Sequence, residues 1–184
     1  SCTFCPAGMV QISNYQWNAC VPRDFSDVII TNEISDYFFI DVEINDLDVD
    51  PLDWVGSFNG DICVGAMQWD TSVCGDGICN VRAYGESGYS PGTEGYMGNG
   101  QIPTFRIFDS SEDRYYGAEA SGLVSVVGEN ACEGEAPSCM EWNKNYMYVI
   151  EKLNGDSNTI FGCMDEFACN YDPEATADDG SCDI

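Results

Sequence analysis

The sequence predicts an all-β protein, an antiparallel β-sandwich with a disulfide-stapled N-terminal segment and a C-terminal acidic, cysteine-rich loop. Three observations lead there. Apolar residues alternate with period two in short runs between Gly-rich turns, and no stretch of useful length keeps a 3.6-residue period. Eleven cysteines in 184 residues exceed what a reducing compartment normally tolerates. The formal net charge of −26 and the absence of His then narrow what such a fold can do.

Residues 1–24 hold Cys2, Cys5 and Cys20 with little charge and read as a stapled extension. The chain starts Ser1-Cys2 without a Met, so Ser1 is expected to be a mature terminus left by removal of a signal peptide. Residues 25–161 form the β domain. Within it Asp36–Asn45 alternates Phe38, Ile40, Val42 and Ile44, the expected core face, with Tyr37, Phe39, Asp41 and Glu43. The run WVGSF-NG-DICVGA predicts a hairpin around Asn59-Gly60, because Asn-Gly readily takes the positive φ values of tight hairpin turns. Further strands are expected at Ile78–Tyr84, Ile102–Phe108, Arg114–Ala118, Leu123–Val127 and Tyr146–Leu153, with a turn at Asp109–Asp113.

Residues 162–184 contain three cysteines and seven acids and no base. A segment this short and polar cannot bury a core, so its order needs a covalent or metal staple. The shortest spacings pair Cys74 with Cys79, Cys132 with Cys139 and Cys163 with Cys182. Cys2, Cys5, Cys20, Cys63 and Cys169 are left over. Cys169 is expected to bond to the N-terminal cysteines, in the same or a neighbouring chain, and Cys63, inside a strand, to be a buried free thiol. Zinc explains the cysteines less well, since Cys2-x2-Cys5 has no second CxxC and there is no His.

The charge repels nucleic acid and anionic lipid, and no apolar run is long enough for membrane insertion. Without His, Ser-His and Cys-His catalysis is impossible, and neither GxGxxG nor GxxxxGK occurs. No enzyme is expected. Hard oxygen ligands on an extracellular chain favour Ca²⁺. Two clusters are candidates: Asp46, Asp48, Asp50 and Asp53, whose spacing opens like an EF-hand but then places Pro51 and Ser57 where Gly and Glu belong, and Asp165, Asn170, Asp172, Asp178 and Asp179 in the tail. With no Asn-x-Ser/Thr sequon, glycans would be O-linked or bound. Phe4, Tyr15, Trp17, Tyr89 and Tyr96 are the expected subunit-contact aromatics, being far from the densest acids.

The tail fragments GCMD, ACNYDPEAT and DDGSC resemble a cysteine-rich acidic repeat of large secreted and cell-surface bacterial proteins. Asp53–Ala66 and Gly100–Tyr116 resemble a β-sandwich module of secreted bacterial proteins of the type IX secretion kind. There an NGxCVG hairpin precedes an IPTFKIYD-like strand. Ser57 stands where that family commonly has Ala, and the Cys74–Cys79 loop decorates it. The resemblance implies an extracellular or cell-surface location and an adhesive or structural job. The expected function is therefore that of a repeating subunit in an extracellular filament, tube or surface layer, a homopolymer. A secreted carbohydrate-binding or adhesive module is the alternative.

Overall fold

A computed structural model describes residues 9–13, 18–128 and 132–184. Expectations for Cys2, Cys5, Phe4, Tyr15, Trp17 and the Cys20 side chain fall outside what it describes. No α-helix occurs among the described residues; the chain is built from strands and three single 3-10 turns.

A small antiparallel hairpin, β1 (Met9–Ser13) and β2 (Asn18–Pro22), opens the chain. The main sheet follows, from β3 (Ile34–Ile44), β4 (Leu47–Asp48), β5 (Trp54–Asn59), β6 (Ile62–Gln68), β7 (Cys79–Tyr84), β8 (Thr104–Asp109), β9 (Arg114–Val127), β10 (Glu133–Glu135), β11 (Met147–Gly162) and β12 (Ala177–Asp178). Its order is β4-β3-β11-β9-β8-β5-β6, with β7 also on β3, β10 on β9 and β12 on β11. The sheet curls until β7, at one end, packs across β5 and β6 at the other. There the Ser57 hydroxyl donates to the Arg82 carbonyl at 2.6 Å. A Cβ on Gly65 would lie 1.8 Å from that same carbonyl, so a residue without a side chain is what lets the two layers meet.

Most pairings are antiparallel, as expected, but β3 and β11 run parallel over eight register pairs. Residues from the middle of both layers fill the space between them. Tyr37 stacks on Tyr148 with ring centroids 4.6 Å apart, and Phe39 meets Phe105 edge to face at 5.1 Å. Val55, Val64, Ile107, Ile150 and Leu153 are fully buried beside them. The hydroxyl of Tyr37 donates to the Met140 carbonyl at 3.1 Å, which satisfies a buried polar atom.

The alternation in β3 departs from expectation. Tyr37 and Phe39 face the core, Phe38 does not, and Ile40 is 58 % exposed; beyond the slip, Val42 and Ile44 face the core as expected. The strand changes phase between Phe39 and Val42. Its neighbour β11 does the same between Ile150 and Leu153, and β9 carries an extra residue at this level, where its register against β11 shifts. Gly122 occupies that bulge with φ +79°. The Glu151 carboxylate lies where a Cβ would be and accepts the Leu123 N–H at 3.0 Å. The two strands expected at Arg114–Ala118 and Leu123–Val127 are consequently one bent strand, which passes from one layer to the other.

The hairpin at Asn59-Gly60 is present, with Asn59 opposite Ile62 and Gly60 at φ +61°. A second tight hairpin joins β3 to β4 through Asn45 and Asp46, both with positive φ. The Gly-rich stretch from Tyr84 to Gly98 is anchored by buried Thr93, Tyr96 and Met97. Its Thr93 hydroxyl donates to the Ser90 carbonyl at 2.8 Å and accepts the Ser87 N–H at 3.1 Å.

The outer face of the β5-β8-β9 layer carries its own cluster, Val21, Phe25, Phe58, Phe108 and Tyr115. Residues 21–25 therefore lie across this layer. The C-terminal segment docks at its side. Arg114 pairs with Glu174 at 2.6 Å and Asp172 at 3.7 Å, and β12 adds to the end of β11.

Candidate functional site

The chain places one arginine in a setting unlike its other charged residues. Arg106 sits in the apolar run Phe105–Phe108 on the face turned away from the main core. Its side chain is 9 % exposed. The guanidinium is held between the rings of Phe58 and Phe161, 4.2 Å and 3.7 Å from their centroids. Stacking of this kind stabilises a desolvated cation by about 2 kcal/mol or more. Its protein hydrogen bond goes to the Asp61 carboxylate, from Nη2 at 3.4 Å, and that aspartate is fully exposed.

Two hollows meet at Arg106. One, of about 500 Å³, runs along β8, β9 and the bulged part of β11, past Thr104, Gly117, Glu119, Asp156, Asn158 and Thr159. The other, of about 460 Å³, lies between the hairpin tip at Asp61, the 3-10 turn at Asp24 and the tail at Asp178–Gly180. Asp24 Oδ2 is buried there without a hydrogen-bond partner among the described residues. Burial, helped by the nearby Asp179 charge, pushes the Asp24 carboxyl up to about 6. The Arg106 charge opposes that rise but does not cancel it. Arg106 was absent from the sequence-based candidates. The signal that could have found it is a lone base inside an otherwise apolar strand, since burying such a group needs a specific partner.

Among the described residues, Asp48 alone of the expected calcium ligands lies in a converging carboxylate group. In the tail, Asp165, Asp172, Asp178 and Asp179 each accept the backbone N–H of the residue two further on, at 2.9, 2.9, 3.2 and 2.9 Å. Asn170 ties Ser181 and Asp183. These side chains hold turns, as short polar side chains after a bend do. Asp46 shapes the β3-β4 turn, and Asp50 is exposed. Asp53 is buried and accepts from Asp50 N–H at 2.7 Å and from Ser110 N–H and hydroxyl at 2.9 and 3.0 Å. It bolts two turns together.

Carboxylates do converge elsewhere. Asp41, Glu43 and Asp48 bring ligand atoms within 4.8 Å of one another across the β3-β4 hairpin. Of these, only Asp48 was among the sequence candidates. Lys152 already supplies a cation, its Nζ 2.6 Å from Glu43 Oε2. That hydrogen bond holds the Glu43 carboxyl below its ordinary range, while desolvation and the adjoining Glu43 raise Asp41. A divalent ion at this triad would have to compete with the Lys152 ammonium.

Three disulfides close as the spacings predict: Cys74–Cys79, Cys132–Cys139 and Cys163–Cys182. Cys63 is a free, half-buried thiol whose burial pushes it up to about 12. Cys169 is exposed and makes no disulfide among the described residues, and its expected N-terminal partners lie outside them. Its backbone N–H is held by the Asp183 carbonyl at 2.9 Å, on the outside of the tail. Of the loop tyrosines proposed for contacts, Tyr89 is fully exposed, but Tyr96 is 5 % exposed. The Tyr96 hydroxyl accepts the Ile29 N–H at 2.8 Å, which turns the ring inward. Comparison with protein-family models, with curated proteins and with solved structures finds no match for this chain.

Proposed function

We propose that the chain is an extracellular structural protein, the repeating subunit of a filament, tube or surface layer, and that it assembles with copies of itself. The observation that supports this best is an apolar outer sheet face on a strongly acidic chain. The strand registers put Phe38 beside Val149, and Met147 beside Val127 and Asp36. Ile40 and Leu123 continue the same face, and Ile40, Leu123, Val127 and Met147 are 58, 67, 55 and 40 % exposed.

Exposed apolar residues gathered on one face in this way often mark an interaction site. Glu135, opposite Leu123, borders the patch, and two other acids beside it are engaged. Asp36 is paired with Arg82 at 3.1 Å, and a Glu151 oxygen takes the Leu123 N–H. At physiological salt the remaining charges are screened beyond about 8 Å, so contact through this face is compatible with the net charge. Three disulfides fit an oxidising, extracellular setting.

Sedimentation and negative-stain imaging of the full chain test this reading. The native chain should form regular polymers as its concentration rises, and Ile40→Asp with Val127→Asp should leave a folded monomer. A native chain that stays monomeric, or a double variant that polymerises equally well, would overturn it.

A further inference from the structure

We infer that the groove over Arg106 is a binding site for a neutral, hydroxyl-rich ligand, a saccharide segment, whether or not the chain assembles. Gly60 keeps one stretch of the groove free of a side chain, and Thr104, Asp156, Asn158 and Thr159, the last packed over Gly117, line it with groups that hydrogen-bond. Arg106 is fixed by its two rings before any ligand arrives. A guanidinium has five N–H donors, and among the described residues this one directs a single hydrogen bond to protein, a long one to an exposed carboxylate. Its other donors are positioned for an outside acceptor. Preorganisation of this kind lowers the ordering cost of binding.

The charges select the ligand. Asp24, Asp61, Glu119, Asp156, Asp178 and Asp179 line the two hollows and repel phosphate, sulfate and carboxylate groups. A basic side chain seated at the bottom would instead face the Arg106 guanidinium at close range. What remains is a group that is uncharged and both donates and accepts. Hydroxyls do both: each can give its proton to a carboxylate and take one from Arg106 or Asn158.

The test is calorimetric titration of the full chain, dilute enough to be monomeric, with neutral hexasaccharides of β-1,4-glucose, α-1,4-glucose, β-1,4-xylose and β-1,4-N-acetylglucosamine. Hexalysine and a sulfated hexasaccharide are the competing probes. At least one neutral hexasaccharide should bind, and Asp61→Ala and Arg106→Met should each weaken it about tenfold or more. Asp61 is fully exposed, so its variant keeps the test valid if the arginine variant misfolds. No neutral binding at about 10 mM ligand, binding of hexalysine or the sulfated probe alone, or neutral binding untouched by Asp61→Ala would each overturn the inference. Because the readout is binding by the monomer, its failure leaves the assembly reading standing, and the reverse also holds.

Discussion

Replacing Asp24 with Asn should stabilise this protein at neutral pH and remove part of its pH dependence. Asp24 has one carboxylate oxygen sealed from solvent without a partner among the described residues, and burial is the largest cause of its raised pKa. The folded state therefore binds this proton more tightly than the unfolded chain does. The penalty for the charged form is fully present above the folded value of about 6 and fades as pH falls toward the ordinary 3.8. A rise from 3.8 to about 6, at 1.36 kcal/mol per pKa unit, sets a ceiling of about 3 kcal/mol. Because the residue is partly open to water, solvent screening reduces this to about 1–2 kcal/mol. For a chain of this length that is roughly 2–8 °C in melting temperature. Thermal unfolding of both proteins from pH 4 to pH 8 is the assay. The variant should melt higher at pH 7 and above, with the gap closing as pH falls below 6. A gap that is constant across this range, or a variant less stable at pH 7, would refute the reasoning.

Two further outcomes are expected. Alkylation of the native protein should label Cys169 quickly and leave Cys63 unreacted until the chain is denatured, because the thiolate is the nucleophile and burial suppresses it at Cys63; equal labelling rates would contradict the placement of both. Lys152→Gln should free the Asp41, Glu43 and Asp48 triad, so millimolar Ca²⁺ should raise the melting of this variant more than that of the native chain. The gain would reach about 2.7 kcal/mol at a hundredfold excess over the dissociation constant; equal responses would remove calcium from this hairpin.

What the sequence disclosed and what it concealed separate along physical lines. Features set by neighbours in the chain were readable. The Asn59-Gly60 turn depends on two residues, and the three disulfides join cysteines 5, 7 and 19 positions apart. Features set by partners across the sheet were not. A period-two reading assumes a straight strand, so it put Phe38 and Ile40 inside, whereas the phase slip of β3 answers a bulge at Gly122 some eighty positions away. The tail aspartates have the composition of a calcium site, yet each is spent on an N–H two residues on. The triad that does converge is made by folding the β3-β4 hairpin, which joins Asp41 and Glu43 to Asp48. Arg106 needed Phe58 and Phe161, which reach it only when β5 and β11 arrive on either side.

The position of β11 has a consequence for how the chain is made. It lies between β3 and β9, pairing in parallel with the first and antiparallel with the second, so the centre of the sheet is the last long strand to be synthesised. Until residues 147–162 emerge, β3 and β9 each present an unpaired edge, and Tyr37 lacks the Tyr148 ring it stacks on. Vectorial synthesis thus yields an unfinished sheet for most of its course. Such long-range closure is slow because loop entropy is lost before the contacts form. Until then the unpaired edges of β3 and β9 are open to edge-to-edge aggregation.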